Sequence, residues 1–561
     1  MPVLAGLRET GSTSSRAWVL QGRRSTGRPT RWWAEIGFNF SLVVALVSPC
    51  PLRAAEQLEV QFDGVVIPVA IKDLVAWGRS GGVSDAELSI WLDLLEPASR
   101  QGMLELLRAP LITDRSMARQ MLDSWAGRRL LDEVADLVRV DDDTVGVTVL
   151  STLERLLQEK PQVTSLDLLE ALPAERVRLD LDGLVQVAAH WREQLQRQQA
   201  LVARLDRIPL QAVFPPAEPA VETLSLPTIQ ALQVPHRTEP LELQLWQPKD
   251  ARRPSQASDR PWVVLMPGLG GTPDHFRWLG RLLSHQGWPV VVLEHPGSDS
   301  EAVGAWLQGN RRPPGAEVLP DRLQDLDAVL KAQADGTLPV RGERVVLVGH
   351  SMGALTALLA TGVRPQPGLE WRCREALDDL PLSNLSRLLQ CQLNAVDLPP
   401  TKAPAQLVGI VGMNSFGSLL WPRNRPVRIP VPALFTGGTL DLITPPLNEQ
   451  LELLLATAPD PRSRAVLVEG ASHFSPIRVE AQLTESKDND LFQLGEELVG
   501  VQPLQVQALL GEEIITFLEQ LTPGRQGSAS QGGPALIHRQ AGSLHLHRIN
   551  AEGAIQLLNE S

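Results

Sequence analysis

The sequence predicts an α/β fold, a mostly parallel sheet with helices on both faces, preceded by a mainly α-helical domain with a short β-hairpin. Three observations predict it. Amphipathic runs with helical spacing dominate the chain before residue 205. A Gly-x-Ser-x-Gly sequence at 349–353 ends an apolar run and precedes a helical pattern. Apolar strand-like runs also alternate with helix-like stretches, at residues 241–246, 262–266, 289–293, 344–348, 406–412, 432–436 and 464–468.

Length and charge indicate the domain organisation. At 561 residues the chain exceeds one typical core, so at least two domains are expected. The net charge is −13 although the first 55 residues are basic, which argues against nucleic acid or an anionic membrane as an electrostatic partner. The expected segments are a targeting segment at 1–55, a helical domain at 56–205, an α/β domain at 206–522 and a flexible tail at 523–561.

The first segment resembles an export signal. It is rich in Arg and poor in acidic residues, and its apolar stretch, residues 36–47, is too short to span a bilayer. Small residues at Ala54 and Ala55 follow. We therefore expect cleavage, a mature protein without a transmembrane span, and residence in the periplasm or another extracytoplasmic space. Alternatives are a twin-arginine signal using Arg23 and Arg24, a lipoprotein-like signal at Cys50, and membrane association through this segment.

The helical domain begins with a hairpin pattern. Apolar residues alternate over 58–62 and 67–71 on either side of Asp63-Gly64. Ser-Asp-Ala-Glu at 84–87 predicts a helix N-terminus, and a Pro-rich linker is expected near 209–219. No catalytic constellation is visible in this domain, and its apolar stripes indicate core packing. Further helices are predicted within 114–138, 144–159, 164–171 and 182–205.

The Gly-x-Ser-x-Gly sequence predicts a nucleophile elbow. A serine on a sharp strand-to-helix turn needs small residues two positions before and after it, which Gly349 and Gly353 supply around Ser351. The backbone N–H of Met352 would then face an oxyanion beside Ser351. Upstream, a Pro-Gly-Leu-Gly-Gly turn follows an apolar strand, and Leu269 is the candidate for the second oxyanion N–H.

Asp441 and His473 each follow a strand-like run downstream of Ser351. This gives the chain order Ser, Asp, His, and we predict that these three residues form a catalytic triad. Asp299 is the rival for the acid, but it precedes the serine. His295 and His350 are rivals for the base, but neither position is expected to let the imidazole reach Ser351 Oγ.

Together these motifs resemble the α/β-hydrolase superfamily over residues from about 220 to 521. The Pro-Gly-Leu-Gly-Gly turn, Glu-His-Pro-Gly-Ser-Asp at 294–299 and Gly-His-Ser-Met-Gly resemble its platelet-activating-factor acetylhydrolase and dienelactone-hydrolase branches. Residues 56–205 resemble a helical domain of unknown function at the N-terminus of cyanobacterial α/β hydrolases. The resemblance implies an α/β-hydrolase fold, a lid insertion at about 366–404 and hydrolysis without a cofactor.

Cysteines and histidines leave two further questions. Cys373 and Cys391 both fall in the predicted lid, where a disulfide and a pair of buried thiols remain alternatives. His538, His545 and His547 alternate with Leu and lack accompanying carboxylates or Cys. This pattern favours a solvated β-like tail over a metal site, so no metal is expected.

The predicted function is hydrolysis of carboxylic esters, either lipid-like or other acyl esters, through an acyl-enzyme on Ser351. His473 would act as the base, and Asp441 would fix its tautomer. Ester, thioester and amide hydrolases share this machinery, so the acyl group stays open. The alternative is a non-catalytic protein in the extracytoplasmic space whose hydrolase fold presents the helical domain to a partner.

Overall fold

The structure is a computed structural model that describes residues between 56 and 559, with gaps. The predicted targeting segment, the predicted helix start at 84–87 and the first part of the predicted tail lie wholly or partly outside these residues. The described residues are 56–81, 86–93, 97–108, 110–112, 124–129, 137–141, 147–160, 162–215, 226–248, 260–377, 384–457, 460–477, 500, 502–522 and 534–559.

The N-terminal domain contains the predicted hairpin. Its turn is at Asp63 and Gly64, both with positive φ, which suits a two-residue hairpin loop. The hairpin is part of a four-stranded sheet of order β2-β1-β6-β4, and β3 pairs with β5 separately. The strands of this domain are β1 Gln57–Phe62, β2 Val65–Ala70, β3 Pro110–Ile112, β4 Val138–Val140, β5 Val163–Thr164 and β6 Arg176–Asp180.

Helices surround this small sheet. Trp77 and Val177 are buried in the shared core, so the domain is a packed α+β unit with more sheet than one hairpin. Strand β6 has the sequence Arg-Val-Arg-Leu-Asp, and three charged residues out of five are not typical of a strand, so the sequence pattern did not predict it. The helices are α1 Ile71–Ser80, α2 Ala86–Leu92, α3 Pro97–Arg108, α4 Val147–Glu159, α5 Ser165–Ala171 and α6 Leu181–Leu205.

Helix α6 belongs to both domains. It contacts β1 of the small sheet, and the carboxylate of Asp182 accepts a hydrogen bond from the backbone N–H of Asp63 at 2.9 Å. At its other end Leu201 and Leu205 are fully buried in the core of the α/β domain. The Arg204 guanidinium donates to the backbone carbonyl of Leu557. The two cores are therefore joined by one continuous helix.

The α/β domain is built on an 11-stranded sheet of order β7-β16-β17-β15-β14-β13-β12-β10-β11-β9-β8. The run from β15 to β11 is parallel, as predicted, and its strands are almost fully buried. The strands are β7 Leu210–Phe214, β8 Thr228–Leu232, β9 Leu241–Trp246, β10 Trp262–Met266, β11 Val290–Leu293, β12 Val345–His350, β13 Leu407–Met413, β14 Ala433–Gly438, β15 Arg464–Val468, β16 Leu536–Ala541 and β17 Leu544–Ile549.

Helices cover both faces of the sheet, which confirms the predicted fold class. Helices α6, α9, α10, α13 and α15 contribute to one core, and α7 and α14 contribute to the other. Among the described residues, no helix is both long and apolar enough to cross a membrane. The helices are α7 Arg277–His285, α8 Ser300–Leu307, α9 Leu319–Ala334, α10 Met352–Ala360, α11 Leu369–Leu377, α12 Ser386–Gln392, α13 Leu453–Ala456, α14 Pro503–Gln520 and α15 Ala551–Asn559.

The flexible tail predicted at 523–561 is wrong for residues 534–559. Strand β17 pairs with β15, β16 pairs with β17, and α15 packs behind them. An edge at β15 would leave backbone groups unpaired, and this hairpin covers it. Strand β7, from the predicted Pro-rich linker, extends the same side of the sheet.

Candidate active site

Ser351 lies between the end of β12 and the start of α10. Its backbone has φ 52° and ψ −117°, a strained conformation for a residue with a side chain. A Cβ at Gly349 would overlap the backbone of Gly353, and a Cβ at Gly353 would overlap the carbonyl of Met266. Both glycines are thus required by close backbone approach, and the chain turns sharply at the serine.

Asp441 and His473 follow the neighbouring strands β14 and β15 and form a buried pair. His473 Nδ1 lies 3.0 Å from Asp441 Oδ2, and both residues are at most 5% exposed. Because a carboxylate only accepts hydrogen bonds, this contact assigns the proton to Nδ1. The other ring nitrogen, Nε2, is then left with a lone pair for proton transfer.

Several donors hold the Asp441 carboxylate. The Thr444 hydroxyl donates to Oδ2 at 2.6 Å and Asn414 Nδ2 donates at 2.7 Å, while the backbone N–H groups of Ile443 and Thr444 donate to Oδ1. Burial alone would raise the pKa of Asp441, but the contacts with His473 and Thr444 outweigh it and hold the pKa below its usual range. The acid is therefore ionised and fixed in place.

His350 connects the elbow to His473. Its Nε2 donates to the backbone carbonyl of His473 at 3.0 Å, and the two ring centroids are 4.9 Å apart. Burial, with the nearby His473, lowers the pKa of His350 to about 3. His350 therefore positions the loop of His473 as a neutral hydrogen-bond donor, and its Nε2 is occupied.

The turn with the predicted oxyanion donor lies against the elbow. A Cβ at Gly268 would be 3.1 Å from Ser351 Cβ and 2.9 Å from His350 Nδ1. Gly270, with φ 72°, donates its N–H to the Ser298 carbonyl at 2.8 Å. Leu269 directly follows Gly268, and Met352 directly follows Ser351 as the first residue of α10. The turn that carries Leu269 therefore lies against the elbow that carries Met352.

Arg322 supports this turn, and the sequence prediction missed it. Its buried guanidinium donates to the Pro267 carbonyl, to Ser298 Oγ at 2.7 Å and to Thr356 Oγ1 at 3.3 Å. One side chain thereby joins the oxyanion turn, the loop after β11 and helix α10. The sequence feature that could have indicated this role is the position of the arginine on the apolar face of α9, beside Leu319, Leu323 and Leu326.

The rival residues have other partners. Asp299 caps α8, because its carboxylate accepts from the Ala302 N–H at 2.8 Å. His295 Nδ1 lies 2.9 Å from Asp325 Oδ2, in a network that includes Arg237. Burial, and then the charge of Arg322, lower the pKa of His295 to about 4. Both residues therefore stabilise the scaffold around the site.

Comparisons with known proteins agree with this geometry at the level of the fold. Residues 261–367, which include the elbow, match a family model described as alpha/beta hydrolase fold. Residues 54–180 match a model described as alpha/beta hydrolase of unknown function (DUF1400). The protein has an α/β-hydrolase fold.

Solved structures similar to this chain include those of esterase 2 from the planctomycete Thermogutta terrifontis. Its propionate-bound form is 16% identical, with a TM-score of 0.33, and the match covers 52% of this chain and 93% of that one. The form phosphorylated by paraoxon is also 16% identical, with a TM-score of 0.32, and the match covers 52% and 95%. No curated protein matches the sequence.

The insertion after α10, which is the predicted lid, is hydrogen-bonded to the loop that carries Asp441. The backbone N–H of Ser386 donates to the Ile443 carbonyl at 3.0 Å, and a disulfide joins Cys373 of α11 to Cys391 of α12. The buried Glu449 carboxylate accepts from Asn384, Gln390 and Ser418 side chains. The described part of the predicted lid is thus hydrogen-bonded to the rest of the α/β domain at Ile443 and at Glu449, and the disulfide joins its two helices. Sequence reasoning did not identify Glu449.

Exposed leucines lie where the lid meets the acid loop. Leu385, Leu440 and Leu442 are 40%, 52% and 44% exposed. The backbone N–H of Leu385 is 3.4 Å from the carbonyl of Leu442, so the two residues are neighbours. A group of exposed leucines therefore lies beside the Asp441 loop.

Proposed function

We propose that this protein is a serine hydrolase that cleaves carboxylic esters through an acyl-enzyme on Ser351. The observation that carries the proposal is the buried Asp441–His473 hydrogen bond beside a strained serine elbow, with His350 joining the two. Acyl transfer requires a nucleophile close to a base that an acid orients, so these contacts support the proposal.

In the proposed mechanism, His473 Nε2 accepts the hydroxyl proton as Ser351 Oγ attacks the acyl carbonyl. Asp441, held ionised by its donors, stabilises the imidazolium that forms. The backbone N–H groups of Met352 and Leu269 donate to the oxyanion. His473 then protonates the leaving alcohol, and water releases the acyl group by the reverse steps.

Lipid-like or other acyl esters are the proposed substrate class. The exposed Leu385, Leu440 and Leu442 support it, since an apolar surface beside the acid loop suits the acyl chain of an ester better than a charged group. The motif resemblance to platelet-activating-factor acetylhydrolases and dienelactone hydrolases supports the same class.

A fluorophosphonate probe tests the nucleophile. The wild-type protein should be labelled, and Ser351→Ala should lose the label while keeping its circular dichroism spectrum. Ser543→Ala is the matched control, because Ser543 is an exposed serine in the β16–β17 turn, and it should be labelled like the wild type. Equal labelling of Ser351→Ala and wild type would contradict the assignment. No labelling of any form would favour a non-catalytic binding protein.

We also propose that the chain is exported to the periplasm or another extracytoplasmic space. The basic first segment with its short apolar stretch supports this, and so does a disulfide, which persists in oxidising compartments. Intact mass of the extracytoplasmic protein should correspond to cleavage near Ala55, with Cys373 and Cys391 oxidised. A full-length chain recovered only from the cytosol would contradict export, and one recovered with membranes would favour anchoring by this segment.

A further inference from the structure

Four side chains from neighbouring strands meet on one face of the large sheet, at the end of β15. His538 on β16 lies directly opposite His547 on β17, and His545 lies two residues before His547 on the same face. Glu469 follows β15, and its backbone N–H donates to the carbonyl of His545. The sequence separates this carboxylate from the histidines, and the fold brings them together.

Close contacts connect the four side chains. His538 Nε2 is 2.8 Å from His545 Nδ1, and His547 Nε2 is 2.5 Å from Glu469 Oε1. The His538 and His547 rings stack with centroids 4.4 Å apart. Ligand atoms of Glu469, His538 and His547 all lie within 4.8 Å of one another. Three strands thus bring nitrogen and oxygen donors to one point.

The orientation of His538 is that of a metal ligand. Its Nδ1 lies 2.8 Å from the backbone carbonyl of Ile208, which only accepts, so Nδ1 carries the proton. The lone pair of His538 is therefore on Nε2, which faces the cluster. A backbone carbonyl that fixes the tautomer in this way is the usual support of a metal-binding imidazole.

Burial separates this cluster from an ordinary surface group of histidines. His547 is fully buried and His538 is 5% exposed. Among the residues that the structure describes, His547 Nδ1 has no hydrogen-bond partner. Buried imidazoles cost free energy unless their nitrogens are satisfied, and a cation would use the lone pairs and balance the carboxylate.

We propose that Glu469, His538 and His547, with His545 as a fourth ligand, bind one divalent transition-metal ion of the Zn²⁺ class. Imidazole nitrogens with one carboxylate form a typical donor set for Zn²⁺, whereas Mg²⁺ and Ca²⁺ prefer oxygen ligands. Coordination at about 2.1 Å places tetrahedral ligands about 3.5 Å apart. The contacts of 2.5 and 2.8 Å would therefore lengthen on binding, and the longer separations, up to 4.8 Å, would shorten.

The ion would act as a clamp on the scaffold of the active site. It would cross-link β15, β16 and β17, and it would fix the start of the loop that runs from Glu469 to His473. Its binding free energy would stabilise the folded chain by mass action. The ion takes no part in the proposed acyl transfer, so the site can be tested independently of esterase activity.

Calorimetric titration of zinc sulfate into the chelator-treated full-length protein tests the proposal. The wild type should bind one Zn²⁺ per chain, and its melting temperature should rise with zinc sulfate but not with magnesium sulfate. His538→Gln and His547→Gln should each weaken binding at least tenfold. His285→Gln, at an exposed histidine at the end of α7, is the matched control and should bind like the wild type.

Glu469→Gln provides a second variant in case a buried histidine substitution fails to fold. Its side chain is partly exposed and the change is isosteric, and it should also weaken Zn²⁺ binding at least tenfold. Binding of equal strength by wild type and Glu469→Gln would overturn the proposal. Absence of a one-to-one ion on the wild type would overturn it as well and would leave a hydrogen-bonded histidine cluster.

Discussion

Two aspartates near the elbow differ in what their carboxylates contact. Asp441 accepts from His473 Nδ1, while Asp299 accepts from the backbone at the start of α8. Asparagine replaces aspartate well as a helix cap, because its amide oxygen accepts the same bond. It replaces a triad acid poorly, because its amide donor favours the wrong imidazole tautomer.

This difference predicts opposite outcomes for the same substitution. Asp441→Asn should lower kcat for p-nitrophenyl butyrate by about 10³- to 10⁴-fold. It should also lower the free energy of unfolding by about 1 to 3 kcal/mol, because the amide nitrogen cannot accept from the buried Thr444 and Asn414 donors. Asp299→Asn should keep near-full kcat, because α8 keeps its cap. The catalytic acid is misassigned if Asp299→Asn loses activity and Asp441→Asn retains it.

Buried histidines predict how stability depends on pH. Burial lowers the pKa of His350 to about 3 and that of His295 to about 4, below the ordinary value in the unfolded chain. At a pH between the lowered pKa of the folded chain and the ordinary pKa of the unfolded chain, the unfolded chain binds more protons. The free energy of unfolding therefore falls as the pH decreases through this range. Each histidine should lower it by about 2 kcal/mol between pH 7 and pH 5.

Urea unfolding at the two pH values measures this effect. His350→Gln keeps a donor for the His473 carbonyl but does not titrate, so its loss of stability should be smaller by about 2 kcal/mol. His285→Gln, at an exposed position, should lose as much as the wild type. An unchanged pH dependence in His350→Gln would show that this imidazole titrates normally.

At the scale of elements, the elbow depends on a glycine at a backbone crossing. A Cβ at Gly353 would overlap the Met266 carbonyl and lie 2.8 Å from that of Pro267, both in or next to the central strand β10. A Cβ at Gly304, in the middle of α8, would meet nothing within 4 Å. The two glycines therefore serve different purposes in helices of similar length.

Gly353→Ala should lower the free energy of unfolding by about 3 kcal/mol or prevent folding, since backbone atoms cannot move aside as side chains do. Gly304→Ala should raise it by about 0.5 to 1 kcal/mol, because alanine is the better helix former. Thermal and urea unfolding of both variants provide the measurement. Equal effects of the two substitutions would contradict the crossing geometry.

Elements were predictable where one pattern decides the structure. Parallel strands such as β12 are buried on both faces, so they appear in the sequence as continuous apolar runs. The elbow was predictable because its two glycines are needed where backbone segments cross closely. Strand β17 reads Leu-His-Leu-His-Arg-Ile, which resembles a half-solvated strand. His547 of this strand is buried because Glu469, from a distant part of the chain, provides its partner, just as Ile208 provides one for His538 on β16. Such partners are set by the fold and have no local signal.

At the scale of the whole molecule, helix α6 connects the N-terminal domain to the α/β domain. Leu201 and Leu205 are fully buried in the core of the α/β domain. Burial of each side chain contributes about 1.5 to 3 kcal/mol to the free energy of unfolding, and this contribution is lost if the helix is removed. From the N-terminal domain, Trp125 packs against the same core. The predicted boundary near residue 205 therefore cuts through the packing of the α/β domain.

Two truncated chains separate the contribution of α6 to folding from the contribution of the rest of the N-terminal domain to activity. A chain that begins at Leu181 keeps α6 and should fold cooperatively, whereas one that begins at Asp206 should be insoluble or melt much lower. We also predict that the N-terminal domain helps to wall the acyl pocket. The chain that begins at Leu181 should then hydrolyse p-nitrophenyl octanoate more slowly than the full-length protein, while hydrolysis of the acetate ester is little affected. Rates that fall equally for both esters would mean that the N-terminal domain supports the fold of the hydrolase and has no contact with the acyl chain. Unchanged rates for both would assign it to recruitment of another molecule.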